Sequence, residues 1–354
     1  MAAVRNLFLM FLLSCCLPAY AGQASDFLEP LDRPASAVSN LAGAHLNAVA
    51  AAGDRLVAVG VRGLIMISDD AGASWRQVDS PVSSDLLGVT FPTPQQGWAV
   101  GHEGVVLHSA DQGKSWVKQY DGRQAATQLV EHFTKLAEGG DQAALAYLDG
   151  VKLNYKDGPE QALMDVWFAD DQHGFVAGTF GTLLATEDGG KTWVSWMERV
   201  DNPEFLHYLA IAGSGEQVFI ASERGIVFRY NKVSGRFDLV ETGYTGSFFG
   251  VEVTPQAVVA AGLRGTAYKS MDQGASWSPM ETGVKVALSD VQALPDGRFL
   301  LASVDGRVII SDAKLDGFQA VATSRPGRFS SLALLPGGRA VTVGYSGARQ
   351  VNLR

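Results

Sequence analysis

The chain has 354 residues, 47% of them hydrophobic and 18% charged, with 40 glycines and a formal net charge of −9. A chain this apolar is not disordered and has ample material for a buried core, while its acidic balance excludes a general nucleic-acid binder, which needs a basic surface. Gly-rich turns recur between short apolar runs, which excludes an ordinary helical protein.

Residues 1–21 read as an export signal. Arg5 supplies the positive start, "LFLMFLLSCCL" the apolar stretch, and Ala19-Tyr20-Ala21 a small-x-small cleavage site. The apolar stretch is too short to span a bilayer comfortably. Both cysteines, Cys15 and Cys16, lie inside it, so cleavage leaves a mature chain, 22–354, without thiols. That suits a bacterial periplasm or a thylakoid-like lumen. "LLSC", Leu12–Cys15, resembles a lipoprotein box, so a lipid anchor at Cys15 is the alternative. Nothing later in the chain is long and apolar enough for a membrane span.

From residue 58 onward one phrase recurs: a small residue, Gly or Ser, two variable residues, then Gly. It appears as "AVGVRG", "AVGHEG", "VAGTFG", "IASERG", "AAGLRG", "LASVDG" and "TVGYSG". The second glycines are Gly63, Gly104, Gly181, Gly225, Gly265, Gly306 and Gly347, spaced by 41, 77, 44, 40, 41 and 41 residues. Each unit reads as four short strands, A to D. In the second unit these are "LLGVTFP", "GWAVG", "VVLHSA" and "SWVKQY". Four strands on this period are the size of a propeller blade, so the fold class is all-β, a seven-bladed β-propeller.

About eight residues after that phrase, four units carry a box Ser/Thr-x-Asp-x-Gly-x-Ser/Thr-Trp at the turn from strand C to D. Its members are Asp70, Gly72 and Trp75; Asp111, Gly113 and Trp116; Asp188, Gly190 and Trp193; Asp272, Gly274 and Trp277. Four copies make catalysis an unlikely reason for the pattern, and a structural one is expected. The Asp accepts backbone N–H groups across the turn, the Gly takes a positive φ, and the Trp packs between strands or blades, contributing ~2–3 kcal/mol by burial.

The single long interval between glycines marks an insertion at 121–158, between blades 2 and 3. Its periodicity changes to that of a helix, with Ala126, Leu129, Val130, Phe133, Leu136 and Ala137 on one face. Gly139-Gly140 ends this helix, Asp141 caps a second, and Asp149-Gly150 is expected to end that one. The hairpin is either a decoration covering blades 2 and 3, or a lid or docking arm at the channel mouth. The seventh unit lacks a strand D. Residues 26–36, which have no other blade to join, are expected to pair there and close the ring, removing an exposed edge.

The phrase "FADDQHGFVAGTFGTLLATEDGGKTW" (168–193), echoed as "FPTPQQGWAVGHEGVVLHSADQGKSW" (91–116), resembles the photosystem II stability/assembly factor family. The resemblance spans the mature chain as seven repeats and is specific in blades 1, 2, 3 and 5. It implies a seven-bladed Asp-box propeller and a non-enzymatic, monomeric binding factor without cofactor. Its partner would be a membrane or envelope protein, photosystem II protein in a photosynthetic source. The helical hairpin departs from the basic family pattern. The rival readings are an Asp-box glycoside hydrolase of the sialidase kind, whose Phe-Arg-Ile-Pro start is missing, and a propeller that binds a small ligand or polymer.

The B–C turns and the Asp boxes should emerge on opposite faces. At equivalent positions on the B–C turns stand Arg62, Arg224 and Arg264, a cationic rim suited to carboxylate-rich peptides. The alternative is rim ion pairs, Arg62 with Glu103 and Arg264 with Asp305, worth ~0–1 kcal/mol. His102, Phe180 and Tyr345 lie on the same turns as further contacts. The six histidines show no metal-ligand spacing, and no metal site is expected.

Overall fold

The computed structural model describes residues 28–323 and 327–353. The export signal, its cleavage site, Cys15 and the first two residues of the expected closing segment lie outside the described residues. Seven antiparallel sheets are arranged in chain order, each a simple meander. Their inner strands, the A strands, touch one another in a closed cycle, with Leu46–Ala52 of blade 1 against Phe329–Leu335 of blade 7. Seven blades follow, as the repeat count predicts.

The buried side chains divide into seven clusters, each shared by two neighbouring blades. This division explains the strand patterns. The B strands are sandwiched within their sheet and between blades, so "GWAVG", "VVAAG" and "FLLAS" are buried throughout. The A strands mix buried with half-buried residues, because they border a central channel, and a register shift near the start of each breaks strict alternation.

The boxes form one repeated hydrogen-bonded corner. Ser68 Oγ donates to Asp70 Oδ1 (2.8 Å) and accepts from Gly72 N (2.8 Å), while Asp70 accepts from Ser74 N (2.8 Å) and Ser74 Oγ (2.6 Å). Asp111, Asp188 and Asp272 repeat these bonds with Ser109/Ser115, Thr186/Thr192 and Ser270/Ser276. The box glycine has φ of +77 to +84° in boxes 1, 2 and 5 and +78° in box 3. A Cβ there would strike the preceding blade: Val341 from Gly72, Val57 from Gly113, Gln119 from Gly190 and Phe219 from Gly274. The box therefore spaces one blade against the one before it.

Blade 7 has three strands, Phe329–Leu335, Arg339–Gly344 and Gly347–Asn352. The expectation that 26–36 supplies its fourth is not met by the described part of that segment. Residues 28–36 run along blades 1 and 2 instead. Leu31 is buried among Val78, Val82 and Trp116, Ser83 N donates to Pro30 O (2.8 Å), and Ala35 N to Ser80 O (3.1 Å). Asp32 makes a two-pronged ion pair with Arg123 (2.8 and 2.8 Å). One buried leucine and this charge cluster outcompete an edge pairing. The ring closes through side chains: Ser330 Oγ donates to Leu46 O (2.7 Å), and Gln350 Nε2 to Ala71 O (2.8 Å).

The insertion forms α1 (Gly122–Glu138) and α2 (Ala143–Asn154). Asp121 and Gln124 make a reciprocal capping box at the start of α1. α2 continues past the expected stop at Gly150, because Val151 is buried one turn beyond Leu148 and anchors the last turn. The hairpin leans on the outer flank of blade 3, whose strand D is only Val194–Ser195. Gln128 Nε2 donates to Trp193 O (2.5 Å) and Tyr147 OH to Met197 O (3.3 Å). Among the described residues, no helix is long and apolar enough to cross a membrane.

Candidate functional site

The face opposite the boxes is built from the B–C turns. In each, the second glycine lies beneath the chain that leads to the next blade. A Cβ on Gly63 would meet Val82 O, on Gly225 Tyr244 O, on Gly265 Val284 O, and on Gly347 Ala42 O. In blades 1 to 5 the residue before it takes the left-handed conformation, with φ of 55° at Arg62, 54° at Glu103, 52° at Phe180, and 60° at Arg224 and Arg264. Such residues cost conformational energy, and the turn holds them with their side chains outward.

The rim ion pairs considered from sequence do not form. Glu103 Oε2 is buried without a partner, and Asp305 pairs with Arg307 (3.0 Å). Among the described residues, the exposed side chains of Arg62 and Arg264 have no ion-pair or hydrogen-bond partner. Arg224 differs: its guanidinium is paired with Glu204, from the loop that precedes blade 4.

Apolar groups share this face. Phe180 is 40% exposed and meets the His207 ring edge-on at 4.7 Å. Tyr345 is 57% exposed, stacks on His45 at 4.0 Å, and has the Arg328 guanidinium 5.8 Å from its ring. His102 is exposed. Leu263 and Val304, on the turns of blades 5 and 6, are also exposed. The sequence pattern placed Arg62, Phe180 and Arg264 at one repeat position. His45 and Arg328 share another, just ahead of strand A, where Val61 N donates to His45 O (3.3 Å) and Tyr345 N to Arg328 O (3.1 Å), a second position missed in the sequence.

The channel behind this face encloses about 480 Å3 and contains three carboxylates missed in the sequence: Asp165, Glu252 and Asp290. Their signal was present as an acid inside an otherwise neutral A strand, in "LMDVWF", "FFGVEV" and "LSDVQA". Among the described residues no arginine lines this channel; the three rim arginines stand on the turns of blades 1, 4 and 5. No hairpin residue lines it either, which places the hairpin on the flank of the ring.

Residues 142–311 match the family described as photosynthesis system II assembly factor YCF48. The photosystem II assembly protein Ycf48 of Synechococcus sp. (strain JA-2-3B'a(2-13)) is 28% identical over 180 residues, 45% of this chain and 51% of that protein. The photosystem II assembly lipoprotein Ycf48 of Synechococcus sp. (strain CC9902) is 26% identical over 247 residues, 64% of this chain and 72% of that protein. The chain thus spans about half the length of the first of these relatives and more of the second. A solved structure of YCF48 bound to a D1 peptide superposes with a TM-score of 0.63 at 15% identity, over 88% of this chain and 94% of that one. This last likeness is one of fold. The chain is a seven-bladed Asp-box propeller similar to the photosystem II assembly factors.

Proposed function

We propose that the protein is an exported, non-enzymatic assembly factor that grips a segment of a membrane or envelope protein on its B–C face. The observation that carries this reading is the pair of unpartnered arginines, Arg62 and Arg264, on the same face of the ring as exposed Phe180 and Tyr345. Arginine forks hold carboxylates in two-pronged geometry, and aromatic rings add contact area at low entropy cost. An extended, acidic or carboxylate-ended peptide satisfies both. The relatives' role in photosystem II assembly and the D1 peptide held by the YCF48 structure support a client of the same kind.

Fluorescence anisotropy with labelled membrane-protein peptides, a D1 peptide among them, tests the reading. Arg62→Glu with Arg264→Glu should weaken binding by roughly tenfold or more. Equal binding by the wild type and the double variant, with both folded, eliminates this face as the grip.

A further inference from the structure

The inner strands give the channel three acids and no base. Blades 1, 2, 4 and 7 line it with neutral residues only, and among the described residues no arginine, lysine or histidine lines it. Asp165 and Asp290 are third in the A strands of blades 3 and 6, Leu163–Phe168 and Leu288–Ala293. Glu252 is fifth in that of blade 5, Phe248–Val253.

Each aspartate spans a seam. Asp165 Oδ1 accepts from Val166 N (2.8 Å), and its Oδ2 from Ile211 N of blade 4 (2.9 Å). Asp290 Oδ1 accepts from Val291 N (2.7 Å), and its Oδ2 from Leu332 N of blade 7 (2.8 Å). On the other side of Asp165, blade 2 makes room with Gly88, where a Cβ would lie 3.1 Å from Asp165 Oδ1. Glu252 makes no such clip to a neighbouring blade among the described bonds.

We propose that the channel is a proton-loaded element of the ring, so that acidification tightens the propeller and alkaline conditions loosen it. Three half-buried carboxylates line one channel in which the described residues place no cationic side chain, and ionising all three sets like charges against one another. Burial, reinforced by mutual repulsion, pushes Glu252 up to about 8 and Asp165 up to about 7. Burial likewise pushes Asp290 up to about 6. A carboxyl whose pKa is raised in the folded state holds its proton more tightly there than in the unfolded chain. Stability from these groups is therefore full below about pH 4, and is lost as pH rises towards the folded values of 6 to 8.

The test is calorimetric melting of the full mature chain from about pH 5 to about pH 8.5, for the wild type, Glu252→Gln and the triple variant Asp165→Asn/Asp290→Asn/Glu252→Gln. The wild type should lose several degrees of Tm across that range, Glu252→Gln less, and the triple variant least. The six histidines, common to all three proteins, cancel in the comparison. A wild-type Tm that rises with pH, or a slope unaltered by Glu252→Gln, overturns the proposal. The triple variant also loses the aspartate seam clips, and a fall in its yield of folded protein would report that loss alone. Carbon-13 carboxyl NMR of the wild type then decides: a Glu252 midpoint well above 6 supports the proposal, and three midpoints near 4 overturn it.

Discussion

The two faces of the ring are made from the same kind of turn, repeated blade by blade, yet they use their polar side chains in opposite ways. On the Asp-box face, Asp111 spends both carboxylate oxygens on Ser109, Ser115 and the backbone of its own corner. On the B–C face the turns are held from outside, by the close approach of their glycines and by bonds with neighbouring segments, Arg62 N donating to Asp85 and Thr282 Oγ1 to Gly265 O. The side chains of Arg62 and Arg264 are therefore free to point outward. A turn that satisfies itself internally can repeat without consequence for partners. A turn braced from outside, by its glycine and by bonds with neighbouring segments, leaves its left-handed side chain open to recognition.

The comparison breaks most decisively at the glycines. Gly225→Val would drive a Cβ into Tyr244 O at a positive φ of 73° that a β-branched residue resists. Two independent faults at one buried seam should cost about 3 kcal/mol or more, read as a large fall in the denaturant midpoint. Gly113→Val should behave alike, through Val57 of blade 1. If either variant melts like the wild type, the spacer role assigned to these glycines is wrong.

Next in size is the box carboxylate. Asp111→Ala strands Ser109, Ser115 and two backbone N–H groups of a partly exposed corner, and should cost about 1–2 kcal/mol. The acid limb of stability carries the same information. Hydrogen bonds from Ser74 and Ser276 hold Asp70 and Asp272 down at about 2. A depressed carboxyl stabilises the fold above its unfolded pKa and loses that contribution as pH falls from about 4 towards 2. Asp70→Asn with Asp272→Asn should flatten the acid limb of a Tm-against-pH curve and leave the limb above pH 5 to the channel.

The ring itself was legible because its determinants are local and repeated. Gly63 through Gly347 recur at one period, since each must pass under the backbone entering the next blade. The closure was misjudged, because a missing strand in blade 7 is visible in the sequence while the destination of residues 28–36 depends on a distant pairing, Asp32 with Arg123. Asp165 and Asp290 escaped notice for a related reason. Their partners, Ile211 and Leu332, lie 46 and 42 residues away and are backbone groups, which leave no mark in side-chain identity. The rim was half legible: the shared repeat position of Arg62 and Arg264 could be read, whereas the capture of Arg224 by Glu204 depends on a loop outside the repeat.

The smallest expected effect separates the faces most cleanly. Arg62→Ala and Arg264→Ala remove exposed side chains that make no hydrogen bond or ion pair among the described residues, so each should change stability by less than about 0.5 kcal/mol. Arg224→Ala deletes a solvent-exposed ion pair, and its effect should also stay below about 1 kcal/mol. The backbone N–H of Arg62 still donates to Asp85 Oδ1 in the alanine variant, which preserves the turn. Chemical denaturation of the three variants should therefore be nearly indistinguishable from that of the wild type, while peptide binding falls for Arg62→Ala and Arg264→Ala. A marked loss of stability in either would mean that these side chains brace the ring, and the contrast between a self-satisfied face and an open one would fail.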